Sequence, residues 1–398
     1  MEVSNRLKKI PPYVFAQIDQ KRQELVAKGI DVINLGIGDP DGPTPKHIVE
    51  SAKNALDNPV NHHYPPFGGM PEYKEAISNW FNDRFKVKLN PKTQITSLIG
   101  SKEGLHNTIM AYIDSGDINL IPDPAYPVYR TSTILAGGEP YFMNLNEEND
   151  FLPDLNAIPK DVLAKAKLML LNYPNNPTAA VANLDFFERV IHLAKKHSIL
   201  VAHDLAYSEM TFDNYVAPSI LEVPGAMDTA IELHSLSKTF NMTGWRIGFV
   251  VGNENSVKAV ASLKSNVDTD IFKVVQLAAI NALTGPMTHI QECNDLYQAR
   301  RDLAITELQN LGWPKIKPNK ATFYMWLKVP PHMTSQDFCT KMLEEAHIVV
   351  PPGTAYGPNG EGYFRISLCV GEKRLKEAFD RMKSKNIVFG PSTVVSHK

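Results

Sequence analysis

Cysteine is scarce in this chain: Cys293, Cys339 and Cys369 are the only three among 398 residues. No two stand in a CxxC spacing, and the count is odd. The pattern argues against a disulfide framework or a structural metal site and for a reducing compartment. Long apolar runs are missing too. The N-terminus, Met-Glu-Val-Ser-Asn-Arg-Leu-Lys-Lys, has no apolar h-region, and no stretch is long enough to span a bilayer. The expected location is the cytoplasm. Nor does either sign of charge prevail. The 41 basic and 43 acidic residues leave a net charge of −2 with no basic block, which argues against nucleic acid or a membrane surface as partner.

One glycine is missing where it would matter. Gly36-Ile37-Gly38 follows a strand-like run, but the third fingerprint position is Asp41 and Pro40 stops a helix from continuing. A dinucleotide-binding motif is thereby excluded. The length suggests two domains, or one large domain with an appended small one. Strand-like runs alternate with helical patterns: Ile118–Ile121, Lys167–Leu171, a helix about Leu184–Lys196, Ile199–His203 and Ala230–His234. That alternation predicts βαβ units and an α/β fold with a mostly parallel sheet. Helices are expected over Pro71–Phe85, Glu103–Ile113, Glu254–Asn266, Phe272–Leu283 and Met287–Leu311, with an α+β segment after them.

What chemistry the chain carries lies in the connections. Ser235-Leu-Ser-Lys238-Thr-Phe-Asn-Met-Thr-Gly-Trp-Arg246 reads as a short polar loop between two strands. A lysine there can form a Schiff base with a carbonyl cofactor, and its serines and arginine suit a phosphate. Gly100-Ser101-Lys102-Glu103 opens a helix whose first N–H groups favour an anion, although Ser101 could equally cap that helix. Asp204 ends a buried run, a costly place for a carboxylate without a cation, and Arg365 sits inside an apolar strand with the converse problem. Tyr126, in a Pro-rich loop, could stack on a flat ring. Adjacent His62 and His63 face opposite ways in extended chain and do not make a metal site.

From Tyr13 to Arg365 these motifs resemble, in order, those of fold-type I pyridoxal-phosphate aminotransferases of class I/II. The Ser235–Arg246 run is most similar to the subgroup of LL-diaminopimelate aminotransferase and its alanine and aspartate relatives. The resemblance implies a large cofactor domain over residues 46–285, its sheet flanked by helices. It also implies a small α+β domain from residues 286–398, packed with the N-terminal segment 1–45. Pyridoxal 5′-phosphate would bind covalently at Lys238, with Asp204 on its ring nitrogen, Tyr126 stacked on the ring, and Tyr207 and Asn176 at its hydroxyl. Ser101, the Lys102 backbone, Ser235 and Arg246 would hold the phosphate, joined by Tyr64 from the partner subunit of a homodimer. Arg365, Asn176 and Gly38 would orient the substrate carboxylate, with Tyr13 and Lys102 also on substrate. Two departures stand out: Ala179 follows Asn176-Pro-Thr where the family has Gly, and Thr269-Asp270 replaces a small pair with Gly. A carbon–sulfur lyase or cyclopropane-forming synthase shares the motifs. A transcription regulator with this domain would need a DNA-binding module, for which residues 1–45 leave no room.

Overall fold

The computed structural model describes residues 1–10 and 14–390. Its strands are β1 Ile33–Asn34, β2 Ile95–Leu98, β3 Ile118–Asp123, β4 Glu139–Asn144, β5 Ala166–Leu171, β6 Leu200–Asp204, β7 Ala230–Ser235, β8 Gly248–Gly252, β9 Tyr324–Lys328, β10 Ile348–Val349 and β11 Tyr363–Ser367. Seven form one sheet in the order β2-β8-β7-β6-β5-β3-β4, in which β8 alone runs antiparallel to its neighbours. The sheet is mostly parallel, as the α/β alternation requires. β2 and β4 escape a reading of periodicity: one is four residues long and the other keeps only Met143 buried.

Side chains alternate across a strand, so a strand buried on both faces feeds two cores. Met169 and Leu171 of β5 join one apolar cluster and Leu168 and Leu170 the other. Against the first face pack helices Lys46–Leu56, Pro71–Phe85, Leu184–His197 and Lys273–Thr284; against the second, Ser101–Tyr112, Val128–Ala136 and Glu254–Lys264. Leu184–His197 shows how sequence sets such a layer. Asn183 accepts the Phe186 N–H at 3.0 Å to open it, Phe186, Phe187, Val190, Ile191 and Ala194 bury one stripe, and Ser198 ends it in the left-handed region. A third cluster gathers β9 and β11 with helices Thr288–Asn310, Ser335–Ala346 and Glu372–Ser384. The N-terminal segment joins it where β1 pairs in parallel with β10. No helix among the described residues is long and apolar enough to cross a membrane.

The parallel strands β3, β5, β6 and β7 all end at one edge of the sheet. Because β8 is reversed, the chain entering it arrives at that edge too, and β2, parallel to the rest, leaves there. The connections leaving β2, β3, β5 and β6 and the one joining β7 to β8 therefore converge on one place, where ligands of open α/β sheets collect.

One charge is built into the first apolar layer. Glu232 on β7 is fully buried and accepts from His203 Nδ1 at 2.9 Å, His234 Nε2 at 2.8 Å, Ser219 Oγ at 2.9 Å and the Ile220 N–H at 3.0 Å. Burial alone would push its carboxyl up, but the hydrogen bonds from both histidines outweigh it and hold the group down at about 2. Such a depressed group stabilises the fold fully above its ordinary range, and that contribution is lost as pH falls towards 2. Glu232→Ala should cost about 3–5 kcal/mol at neutral pH. In urea titrations across pH, the gap from wild type should stay constant above about pH 5 and narrow towards about pH 2. A gap of constant size down to the acid limit would mean that Glu232 is held uncharged.

Candidate active site

At the convergence lies a cavity of about 400 Å³. The structure brings together in its lining Gly38, Ser101, Lys102, Tyr126, Asn176, Asp204, Tyr207, Ser235, Lys238, Arg246 and Arg365. Two candidates remain. Tyr13 lies outside the described residues, and Tyr64 is 81% exposed on the loop after the short helix Pro59–His62, away from this chain's own cavity.

Lys238 does not sit on a loop, as the polar run suggests, but in a single helical turn, Leu236–Thr239. Ser235 makes that turn possible, because its Oγ accepts the Ser237 N–H at 3.2 Å. The turn aims Nζ into the cavity, where it donates to the Gly38 carbonyl at 2.6 Å. Burial is the largest influence on the ammonium and lowers it to about 8, with Arg365 and Arg246 adding to the effect and Cys369 and Asp39 opposing it. Gly38 has to be glycine for a steric reason: a Cβ there would stand 1.8 Å from the Tyr324 hydroxyl.

Opposite Lys238, Asp204 is 6% exposed. Its Oδ2 accepts from the Tyr129 hydroxyl at 2.9 Å, while Oδ1 is buried without a hydrogen-bond partner. Burial pushes the carboxyl up to about 6 against the Tyr129 hydrogen bond and the nearby His203. With neither oxygen on a backbone N–H, it caps no turn. An orphaned, buried acceptor at a cavity wall is a demand for a donor, best met by a cationic one.

Arg365, on β11, is the mirror case. It is 3% exposed, donating Nη1 to Asn176 Oδ1 at 2.7 Å and Nη2 to the Gly36 carbonyl at 2.5 Å, with Nε unpartnered. Its guanidinium lies 3.9 Å over the Tyr324 ring and 5.0 Å from that of Tyr356. Only neutral oxygens and aromatic faces surround the charge, so a carboxylate entering the cavity would find an uncompensated cation.

The third corner is an anion cup. The helix Ser101–Tyr112 starts two residues before the expected Glu103, and Gly100 rather than Ser101 occupies the capping position, at φ +79. A side chain there would collide with Arg246 Nη2 at 2.4 Å. The Ser101 hydroxyl is thus not spent on capping, and the helix presents unpaired N–H groups to the cavity. Arg246 reaches across, bonding the carbonyls of Thr243 at 2.8 Å and Ile99 at 3.4 Å and approaching Ser237 Oγ at 3.5 Å.

Several residues here carry weight that sequence reasoning missed. Tyr129 and Tyr324 bind other side chains, and no motif marks such contacts. Ser237 borders the lysine and could have been read with Ser235. Asn172 holds the turn of Asn176: its Oδ1 accepts the Asn176 N–H at 2.7 Å and its Nδ2 donates to the Asp204 carbonyl at 2.6 Å. That turn ends with Ala179 at φ +59, where L-residues are strained.

Comparison with known proteins agrees with the geometry. The family model for aminotransferase class I and II matches residues 30–382. The LL-diaminopimelate aminotransferase 2 of Nostoc sp. is 54% identical over 388 residues, 97% of this chain and 99% of that protein. That of Gloeobacter violaceus is 52% identical over 391 residues, 98% and 100% of the two chains. Among solved structures, substrate-bound BacF from Bacillus subtilis superposes with a TM-score of 0.94 at 40% identity, covering 98% of this chain and 100% of its own. A single mutant of Thermus thermophilus aspartate aminotransferase does so at 0.90 and 28% identity, covering 97% and 100%.

The Tyr129 hydroxyl is the only donor to the Asp204 carboxylate among the described residues. Removing it in Tyr129→Phe should raise the Asp204 pKa above the value of about 6 in the ligand-free protein. Difference infrared titration of the carboxyl band, assigned with Asp204→Asn, measures this. An unmoved or lowered titration would show that Tyr129 does not stabilise the ionised form.

Proposed function

Since the chain belongs to the class I and II aminotransferases, we propose that it moves an amino group from LL-diaminopimelate to a 2-oxo acid such as 2-oxoglutarate, by a ping-pong mechanism. It is a pyridoxal 5′-phosphate-dependent transaminase. What supports the site assignment is one pairing within a single cavity: the unpartnered Oδ1 of Asp204 and the uncompensated charge of Arg365, with Lys238 between them in function.

The residues fit the cofactor. The N–H groups of Ser101 and Lys102, the hydroxyls of Ser101, Ser235 and Ser237, and the Arg246 guanidinium suit its phosphate. Asp204 Oδ1 suits a protonated pyridine nitrogen, Tyr126 the ring face, and Tyr207 and Asn176 its hydroxyl. When bound, the cofactor supplies an electron sink for the pair left behind as the substrate's Cα–H bond breaks. Asp204 keeps that sink effective by holding the ring proton. Arg365, with Asn176 and Gly38, fixes the α-carboxylate by two parallel hydrogen bonds and so aligns the Cα–H bond. Lys238 Nζ leaves the Gly38 carbonyl, accepts the Cα proton as general base and would return it to the carbon on the far side of the transferred nitrogen, two bonds away. Its lowered pKa, about 8, puts a working fraction of free amine within reach of neutral pH.

LL-Diaminopimelate differs from alanine in carrying a second carboxylate. Lys102 is exposed at the cavity rim and pairs with no acid among the described residues, so it suits that distal group. Assay of the purified protein with LL-diaminopimelate, aspartate and alanine as donors should show the first preferred by kcat/KM. Lys102→Met should raise KM for diaminopimelate by about tenfold, the worth of roughly one charged contact, with little change for alanine. Equal or better use of alanine or aspartate would reassign the substrate to those relatives. Release of sulfide or pyruvate from cysteine without amino transfer would favour a lyase.

The same proposal extends to assembly. Tyr64 stands outside its own cavity, Val60 and Phe67 are exposed beside it in sequence, and exposed Phe272 lies 6.4 Å from the His62 ring. A C₂ homodimer, in which each Tyr64 reaches the partner's phosphate cup, accounts for that surface. The division into a cofactor domain over 46–285 and a small domain of 1–45 with 286–398 also rests here, supported by the β1–β10 pairing. So does cytoplasmic residence, supported by three free cysteines. Co-refolding Tyr64→Phe chains with Lys238→Ala chains should give heterodimers with one intact site. Activity per functional lysine should then exceed that of the Tyr64→Phe homodimer. No gain would place Tyr64 in its own subunit's chemistry or outside it altogether.

A further inference from the structure

An acid occupies the first turn of the helix whose N-terminus forms the anion cup. Glu103 Oε2 accepts the Ile99 N–H at 3.0 Å, and Oε1 accepts from Asn107 Nδ2 one turn along. The carbonyl of that same Ile99 takes the hydrogen bond from Arg246 Nη2. Glu103 therefore holds one face of the Ile99–Gly100 turn while Arg246 holds the other. Behind it lies a crowded set of charges. Lys264, 2% exposed on Glu254–Lys264, places Nζ 3.7 Å from Glu103 and 2.8 Å from Asp268. Asp270 follows, its N–H bonded to Asp268 Oδ1 at 2.7 Å and its Oδ1 accepting from Ser97 Oγ at 2.6 Å, with Oδ2 buried and unpartnered. Glu103 and Asp268 thus share the Lys264 ammonium, Lys74 faces Asp270, and Arg246 is the cation on the cup side.

Resting on the reading that this cup holds the cofactor phosphate, we propose that Glu103 is a positioning residue of the cup that takes up a proton when the phosphate binds. Cofactor retention then weakens as pH rises.

The physical reason is charge crowding. A phosphate brings close to two negative charges to a helix end that already carries a carboxylate. Lys264 is committed to Asp268, so it cannot offset Glu103 in full. Burial already raises the Glu103 carboxyl to about 7, with Lys264 and the Ile99 N–H opposing and Asp268 and Asp270 assisting. A bound phosphate raises it further. Well below about pH 7 the group is protonated with or without ligand and costs nothing. Above the ligand-bound value it is ionised in both states, and the repulsion is felt in full.

The probe is pyridoxamine 5′-phosphate, which has no aldehyde and so cannot bond to Lys238. Its affinity for the cofactor-stripped protein is measured by calorimetry from about pH 6 to about pH 9. Ionisation of the phosphate and of Lys238 is common to all variants, so the comparison with Glu103→Gln isolates Glu103. Across that range the wild type should lose about tenfold more affinity than Glu103→Gln, the equivalent of roughly one unit of pKa linkage. Glu103→Ala should bind more weakly than Glu103→Gln throughout, because the Gln amide oxygen still accepts the Ile99 N–H. Lys264→Gln should move the wild-type fall to higher pH. Parallel pH profiles for wild type and Glu103→Gln would overturn the proton uptake, and equal binding by the Ala and Gln variants would overturn the positioning role. Failure of the wild type to bind the probe at any pH would instead sink the phosphate cup itself.

Discussion

A buried guanidinium with no acid beside it is the constraint around which the site is drawn. Arg365 ties β11 to the Asn176 turn through Nη1 and to the N-terminal segment through the Gly36 carbonyl. Three stretches far apart in sequence are held by one side chain. Isolating a charge in this way is expensive, and hydrogen bonds to neutral oxygens offset only part of the cost. The remainder is available to a carboxylate. Asp204 stands in the opposite sense, an acceptor kept short of donors, and the two groups give the cavity a cationic end and an anionic wall. That polarity separates the place for a cationic ring from the place for a carboxylate before a single reacting atom is considered.

Much of this was legible in the sequence because its signals are local. Helix Pro71–Phe85 has the expected bounds, with proline at its first position. Strands β5, β6 and β7 show as apolar runs because both their faces are buried. Motif residues on the connections after those strands could be collected in one cavity because parallel strands share an edge. What stayed hidden depends on pairing at a distance. β2 gains its identity only from β8, and β4 only from β3. Tyr129 matters through Asp204, seventy-five residues away in the chain, and Tyr324 through Gly38 and Arg365. The turn around Lys238 was misread because its polar composition suits a loop, whereas a single serine hydroxyl is enough to start a helix there.

The two departures from the family pattern share a backbone explanation. Ala179 and Asp270 both stand at positive φ, +59 and +72. Glycine enters that region without strain, and other L-residues do so at a cost. At Asp270 the exchange adds a carboxylate to the charges behind the anion cup, so a substitution that looks local in sequence alters the electrostatics of a helix end.

The reversed strand β8 has one more consequence. Residues 236–247 form a closed excursion between Ser235 and Gly248, which face each other in the β7–β8 ladder. Lys238 lies near one foot of that excursion and Arg246 near the other. The distance between them is set by a ladder in the middle of the sheet, where neighbouring strands leave no slack. The arrangement acts as a calliper. A ligand held at both jaws has its length specified by the hairpin, whatever the surrounding loops do, and a shift of one residue in the β7–β8 register would reset the gauge for the molecule that fits.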